Sequence, residues 1–130
     1  MKKKITVYGG NQVRPNIHMD DMIRLYDFIL NLNKKYTGIY NAGFDNVSIL
    51  NMAKLIKKEI DCEIEINKKV TDPRNYRLDS SKLLKIGFKP SKGILDAIKE
   101  LKDFYNKKVL IDNEKFHSLK WLKKVLKNNN

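Results

Sequence analysis

The side chains best suited to hold an anion are guanidinium groups, and this chain has few of them. Of 27 basic residues only four are arginine, at positions 14, 24, 74 and 77. Lysine supplies diffuse surface charge, whereas arginine offers a planar fork of donors that matches phosphate or carboxylate two bonds at a time. Three of the four lie in proline-containing loops. Arg14 sits in Gly9-Gly10-Asn11-Gln12-Val13-Arg14-Pro15-Asn16-Ile17-His18, and Arg74 and Arg77 in Asp72-Pro73-Arg74-Asn75-Tyr76-Arg77. Any one of them alone is explained by a solvated loop charge. Two such loops in one short chain point to a shared oxyanion ligand. Gln12 and Asn16 flank Arg14 and are candidate donors to phosphate or sugar oxygens, although Asn16 also suits a turn. His18 has a side chain fit for acid–base work, but its place just before a helix start is explained by packing. Asp21 reads as a helix-capping residue. Tyr76 reads as a core residue, with stacking on a base as the alternative.

These residues need elements to place them. Lys4 to Tyr8 alternates like a strand and stops at Gly9-Gly10. After Pro15 the chain should run extended into a helix capped by Asp20 or Asp21, with Met22, Ile23, Tyr26, Ile29 and Leu30 at helical spacing. Ile39 to Ala42 predicts a brief buried strand. Ser48 should cap a second helix, with Met52, Leu55, Ile56 and Ile60 on one face. Cys62, Ile64 and Ile66 alternate with Glu63 and Glu65 as a half-exposed strand. Asp79 or Ser80 begins a short helix that Gly87 ends, and a further helix follows Gly93, carrying Ile94, Ala97, Ile98, Leu101 and Phe104. Beyond Asn106, residues Phe116, Leu119, Leu122, Val125 and Leu126 predict a basic amphipathic helix. Packing on its own domain explains that helix better than a membrane surface does. Strand and helix signals alternate, so the class is α/β.

Composition excludes several functions. The 130 residues are one domain's worth of chain, and 42% hydrophobic with 32% charged residues describes a globular protein rather than a disordered one. No apolar stretch approaches the ~18 residues of a membrane span, and the Met1-Lys2-Lys3-Lys4 start has no signal-like apolar run. A lone cysteine, Cys62, fits a reducing cytoplasm. With only His18 and His117 beside it, no structural zinc site is expected. The net charge of +12 raises nucleic-acid binding, but the lysines are spread along the whole chain, which leaves that a minority reading.

Taken in order, "ITVYGGNQVRPNIHMDDM", "GIYNAG" and "DPRNYRLDSSKLLKIGFKPS" resemble the C-terminal part of extended short-chain dehydrogenase/reductases, and within them the NAD-dependent sugar-nucleotide epimerases and dehydratases. The resemblance covers about Ile5 to Tyr105. It implies the α/β, C-terminal substrate-binding part of such an enzyme, lacking the N-terminal dinucleotide-binding Rossmann core. Residues 1–105 would form that part, with 106–130 as a basic amphipathic tail. It also implies that Arg14 and Arg74 contact the diphosphate of a nucleoside diphosphate sugar, with Gln12 and Asn16 beside them. Arg77 is read as a surface charge.

What is absent shapes the expectation equally. Dinucleotide binding needs a glycine-rich turn from strand to helix, and glycines 9, 10, 38, 43, 87 and 93 form none. The family's catalytic Tyr, with Lys four residues on, has no counterpart among tyrosines 8, 26, 36, 40, 76 and 105. The chain is therefore expected to carry no catalytic, cofactor or metal residue of its own, NAD belonging to the complete enzyme. Its expected partners are a nucleoside diphosphate sugar and either a separate N-terminal Rossmann half or further copies of itself. Two rival readings are a standalone nucleotide-sugar-binding module and a small basic nucleic-acid-binding protein.

Overall fold

The computed structural model describes residues 3–69, 72–111, 113 and 117–128. They divide into two compact units, 1–100 and 101–130. The first unit begins with β1 (Lys3–Tyr8), then β2 (Val13–Asn16), α1 (Met19–Leu30), a single 3-10 turn at Lys34–Tyr36, β3 (Asp45–Ser48), α2 (Ile49–Glu59), β4 (Cys62–Asn67) and α3 (Ser81–Lys85). Helix α4 (Ile94–Asn106) starts in this unit and its last residues belong to the second, which also holds α5 (Ser118–Asn128).

Two small sheets result. β1 and β4 pair in parallel, with Ile5 opposite Ile64 and Val7 opposite Ile66. A parallel pair needs a long crossover, and α2, which packs on both strands, supplies its final leg. β2 and β3 pair antiparallel, Val13 opposite Ser48 and Asn16 opposite Asp45. Between the sheets the chain turns at Gly9-Gly10, both at positive φ. A Cβ on Gly10 would stand 3.2 Å from the Cβ of Leu50 and 3.3 Å from Val7 Cγ1, so the close approach of this loop to α2 requires glycine. The core is small: Val7, Val13, Ala53, Cys62, Leu83, Phe88 and Ile98. Phe88 lies edge-on to Phe28 and stacked on Phe44, with centroids 5.5 and 5.6 Å away.

Three local expectations need correction. Ile39–Ala42 forms no strand; Ile39 is 87% exposed. With no ladder beside it, this segment is held by side chains instead: Lys82 Nζ donates to the Ile39 carbonyl, and Ser80 Oγ accepts from Gly43 N and donates to its carbonyl. Helix α1 is capped by His18, whose Nδ1 accepts from Asp20 N at 3.2 Å, and not by either aspartate. Asp21 is instead fully buried. Tyr76 is half exposed rather than in the core.

Ser48 caps α2 as expected, its Oγ accepting from Asn51 N. Asp79 accepts from Ser81 N at the start of α3, and Gly87 at positive φ ends it. Asp45 reaches from β3 to cap α4 through Ile94 N at 2.8 Å. On α1 the inward residues are Met22, Leu25 and Phe28, whereas Met19, Ile23, Tyr26 and Leu30 form an exposed apolar stripe. In the second unit α5 carries the expected residues Leu119, Leu122, Val125 and Leu126. Phe116, expected on that stripe, lies outside the described residues.

Candidate functional site

The loop after β1 and the loop after β4 meet, and Asp72 is where they meet. Arg14 Nη2 and Arg74 Nη2 both donate to Asp72 Oδ2 at 2.8 Å. Arg74 Nε and its backbone N donate to Oδ1 at 2.9 and 3.1 Å. One carboxylate thus accepts four bonds from two arginines that lie sixty positions apart in the chain. These bonds, led by the Arg74 fork, hold the Asp72 carboxyl far below the ordinary carboxylate range. The same pairing raises the pKa of Arg74.

The two arginines are not equivalent. Arg14 is anchored: its Nη1 donates to the carbonyls of Val13 and Arg74, and its guanidinium lies 5.0 Å over the Tyr76 ring. Only 19% of its side chain is exposed, against 76% for Arg74. Arg14 is an anchored wall of the site, and Arg74 an exposed fork on the lip. A further stitch holds the loops together, Val13 N donating to Asn75 Oδ1 at 2.9 Å. Asn46 continues it as a backbone mimic, exchanging two hydrogen bonds with Leu78.

An open cleft of about 570 Å³ runs along this lip, bordered by Tyr8, Gln12, Arg14, Ile49, Asp72 and Arg74. A neighbouring hollow shares Gln12 and Asp72 and adds Lys68 and Asn75. Two guanidiniums against one carboxylate leave the lip net positive, and Lys68 adds to it. A second depression, around Arg24, Phe28 and Phe88, lacks this character. There Arg24 is engaged by Asp21, Ser91 Oγ and the Lys89 carbonyl.

Of the four residues expected at the site, Arg14 and Arg74 are brought together. Gln12 borders the same cleft, but its amide shapes the turn, accepting from Gly10 N at 2.7 Å and donating to the Tyr8 carbonyl. Asn16 does not join them: its Nδ2 donates to the carbonyls of Arg14 and Asp45 and ties β2 to β3. Arg77 is exposed. Sequence reasoning missed Asp72 and Asn75. The signal for Asp72 was available, because an Asp two residues before a loop Arg forms the side-chain-to-backbone turn seen here.

A dinucleotide does not fit the glycine pair after β1. That loop leads into β2 rather than a helix, and Gly10 N is already taken by Gln12. The first amides of the nearby α2 are likewise engaged, Ile49 N by the Gln12 carbonyl and Leu50 N by that of Gly10. Among the described residues no cluster of His, Cys, Asp and Glu has the makings of a metal site.

No family model matches the chain. Among curated proteins it is 27% identical over 114 residues to GDP-L-fucose synthase 1 of Arabidopsis thaliana, covering 82% of this chain and 34% of that protein. Among solved structures it superposes on a GalE-like L-threonine dehydrogenase from Cupriavidus necator in its holo form, with a TM-score of 0.60 and 15% identity. That match covers 76% of this chain and 35% of the dehydrogenase, so the chain spans about a third of the length of each protein. The fold is thus that of a segment of a GalE-like protein. The chain is related, over part of their length, to the NAD-dependent epimerases and dehydratases among the extended short-chain dehydrogenase/reductases.

Proposed function

We propose that this chain is the sugar-nucleotide-binding, substrate-side part of an NAD-dependent epimerase or dehydratase, working with a dinucleotide-binding part that its own residues do not provide. The observation that carries the reading is the convergence of Arg14, on β2, and Arg74, in a loop sixty residues on, on one carboxylate at the edge of an open cleft. A pyrophosphate bridging the two guanidiniums is the ligand this arrangement suits, because each arginine can offer paired donors to a different phosphoryl group. In the chain's own chemistry Arg14 holds and orients and Arg74 closes from the lip. Hydride transfer belongs to NAD on the complementary part. The exposed stripe on α1 and the open Ile39 segment are where such a part would find apolar surface. A cytoplasmic setting is proposed with it, on the single buried Cys62; among the described residues no helix is long and apolar enough to cross a membrane.

The test is a thermal melt of the chain with GDP-, UDP-, dTDP- and CDP-sugars. A GDP-sugar is the first to try, given the name of the Arabidopsis relative. At ~100 times its dissociation constant a ligand stabilises by about 2.7 kcal/mol, a shift of many degrees for a unit of this size. A rise confined to one nucleotide class supports the reading and names the base. A cooperative melt that no nucleotide moves refutes it.

A further inference from the structure

We infer that Asp72 is the gatekeeping residue of this cleft: it occupies the ligand's place beside the arginines and sets the affinity an anion needs to enter. This rests on the proposed anion site and deepens it. The Asp72 oxygens fill the Nε–Nη2 fork of Arg74 and take the Nη2 of Arg14, positions a phosphoryl oxygen would have to occupy. The residue borders both the cleft and the adjoining hollow, and its side chain is 30% exposed. An arriving anion therefore either displaces this carboxylate or binds beside it against its repulsion.

The anchoring of the two arginines decides what displacement does. Arg14 keeps its two bonds to backbone carbonyls when Asp72 leaves, so the wall of the site persists. The Arg74 guanidinium donates, among the described residues, only to Asp72, so its fork is released with the carboxylate and turns to the incoming ligand. Displacing Asp72 costs every anion the same four hydrogen bonds. A single phosphoryl group recovers the contacts of one guanidinium, and a pyrophosphate, with two phosphoryl groups, recovers those of both. Asp72 thus sets a threshold that a pyrophosphate clears more readily than a small anion.

The experiment is calorimetric titration of the full chain, and of Asp72→Asn and Asp72→Glu, with inorganic pyrophosphate and with orthophosphate at one ionic strength. Circular dichroism checks that each variant is folded. Removing a like charge a few ångströms from an anion near the surface is worth roughly a fivefold change in affinity. The Asn variant is therefore expected to bind orthophosphate about fivefold more tightly, and pyrophosphate more tightly by at least as much. The Glu variant, which keeps the charge, is expected to keep the wild-type affinities. If wild type binds pyrophosphate and the Asn variant binds both anions more weakly, Asp72 merely props the arginines and the inference is overturned. It is overturned equally if the affinities are unchanged in Asn or raised in Glu. If neither wild type nor the Asn variant binds pyrophosphate, the reading of the cleft as an anion site falls, and this inference with it.

Discussion

Replacing Asp21 should destabilise the first unit more than any other polar substitution in it. This carboxylate is fully buried on α1, yet all but one of its hydrogen-bond donors lie about seventy residues away in the segment that leads into α4. It accepts from Ser91 N at 3.0 and 2.9 Å, from Ser91 Oγ at 2.8 Å, from Lys92 N at 2.9 Å and from Arg24 Nη1. Asp21→Ala leaves the amides of residues 91 and 92 without an acceptor, and each such orphan costs about 1–3 kcal/mol. Arg24 adds little to the loss, because its side chain is 48% exposed and keeps Ser91 Oγ and the Lys89 carbonyl. A total of about 3 kcal/mol follows, which for a unit of this size lowers the melting temperature by roughly 12–24 °C. Asp21→Asn, retaining one acceptor oxygen, should lose about 2 kcal/mol. The pH dependence has a definite sign. Burial pulls the Asp21 pKa up, but the hydrogen bonds from Lys92, Ser91 and Arg24 outweigh it and leave the pKa below its ordinary value. A carboxyl with a depressed folded-state pKa contributes stability that is present above the unfolded value, about 3.9, and is lost as pH falls through the folded one. The gap between wild type and Asp21→Asn should therefore be widest near neutral pH and close as the solution is acidified below about pH 4. Melts followed by circular dichroism across that range measure both effects. A loss under about 0.5 kcal/mol for the Ala variant, the size of an ordinary surface change, would refute the assignment of Asp21 as the bolt between α1 and α4.

Other substitutions test other joints. Gly10→Ala places a side chain at φ +111° and within 3.2 Å of Leu50, and should cost about 1–3 kcal/mol in a urea titration; no change in midpoint would contradict the close packing of that loop on α2. Arg14→Lys should weaken pyrophosphate binding and also lower the melting temperature, because it removes the bonds to Val13 and Arg74 carbonyls. Arg74→Lys, at an exposed position, should weaken binding while leaving the melt near wild type. Equal stability losses in the two would mean that Arg14 is not the anchored partner. Ile23→Lys with Leu30→Lys should leave the melt unmoved, as both side chains are more than 60% exposed; a large drop would show that the α1 stripe is buried in solution.

The sequence carried the periodic elements well and the singular contacts poorly. β1, α2, β4 and α4 were legible because each shows the apolar period of its element, and in α2 the cap residue Ser48 agrees with it. The pairing of Arg14 with Arg74 was suggested by residue type, although Arg14 stands on strand β2 and not in the loop expected for it. The Ile39–Ala42 strand was not real, since a short apolar run reads as a strand whether or not a ladder exists to receive it. Asp21 was misread because an aspartate in a first helical turn looks like a cap, and only tertiary structure shows what lies opposite it. Asn16 reads in the sequence as a donor to phosphate or sugar oxygens, or as a turn residue, and Asn46 and Asn75 have no particular role there. Each in fact ties its segment to a distant one through its side-chain amide, a role that depends on partners the sequence does not show.

The two halves of the first unit are held in different ways, and this bears on what the chain can do by itself. The arginine lip is fastened by polar bonds between loops: Arg14 to two carbonyls, Val13 N to Asn75, Asn46 to Leu78, Asp45 to the head of α4. None of these needs surface from elsewhere. The sheet side is different. β1 and β4 form a two-stranded parallel sheet with no further strand on either edge among the described residues, an arrangement that in most folds is covered and extended. Beside this, α1 turns Met19, Ile23, Tyr26 and Leu30 outward at spacings of four, three and four, the seam of a helix that expects an apolar neighbour. Scattered apolar side chains on a surface mean little, but a contiguous helical stripe does. The open-edged sheet adjoins the proposed ligand cleft, which Tyr8 at the end of β1 borders, whereas Arg14 is anchored by bonds that do not involve the sheet. Under the proposed function, the surface that brings a cofactor to the sugar would cover those open edges and the α1 stripe.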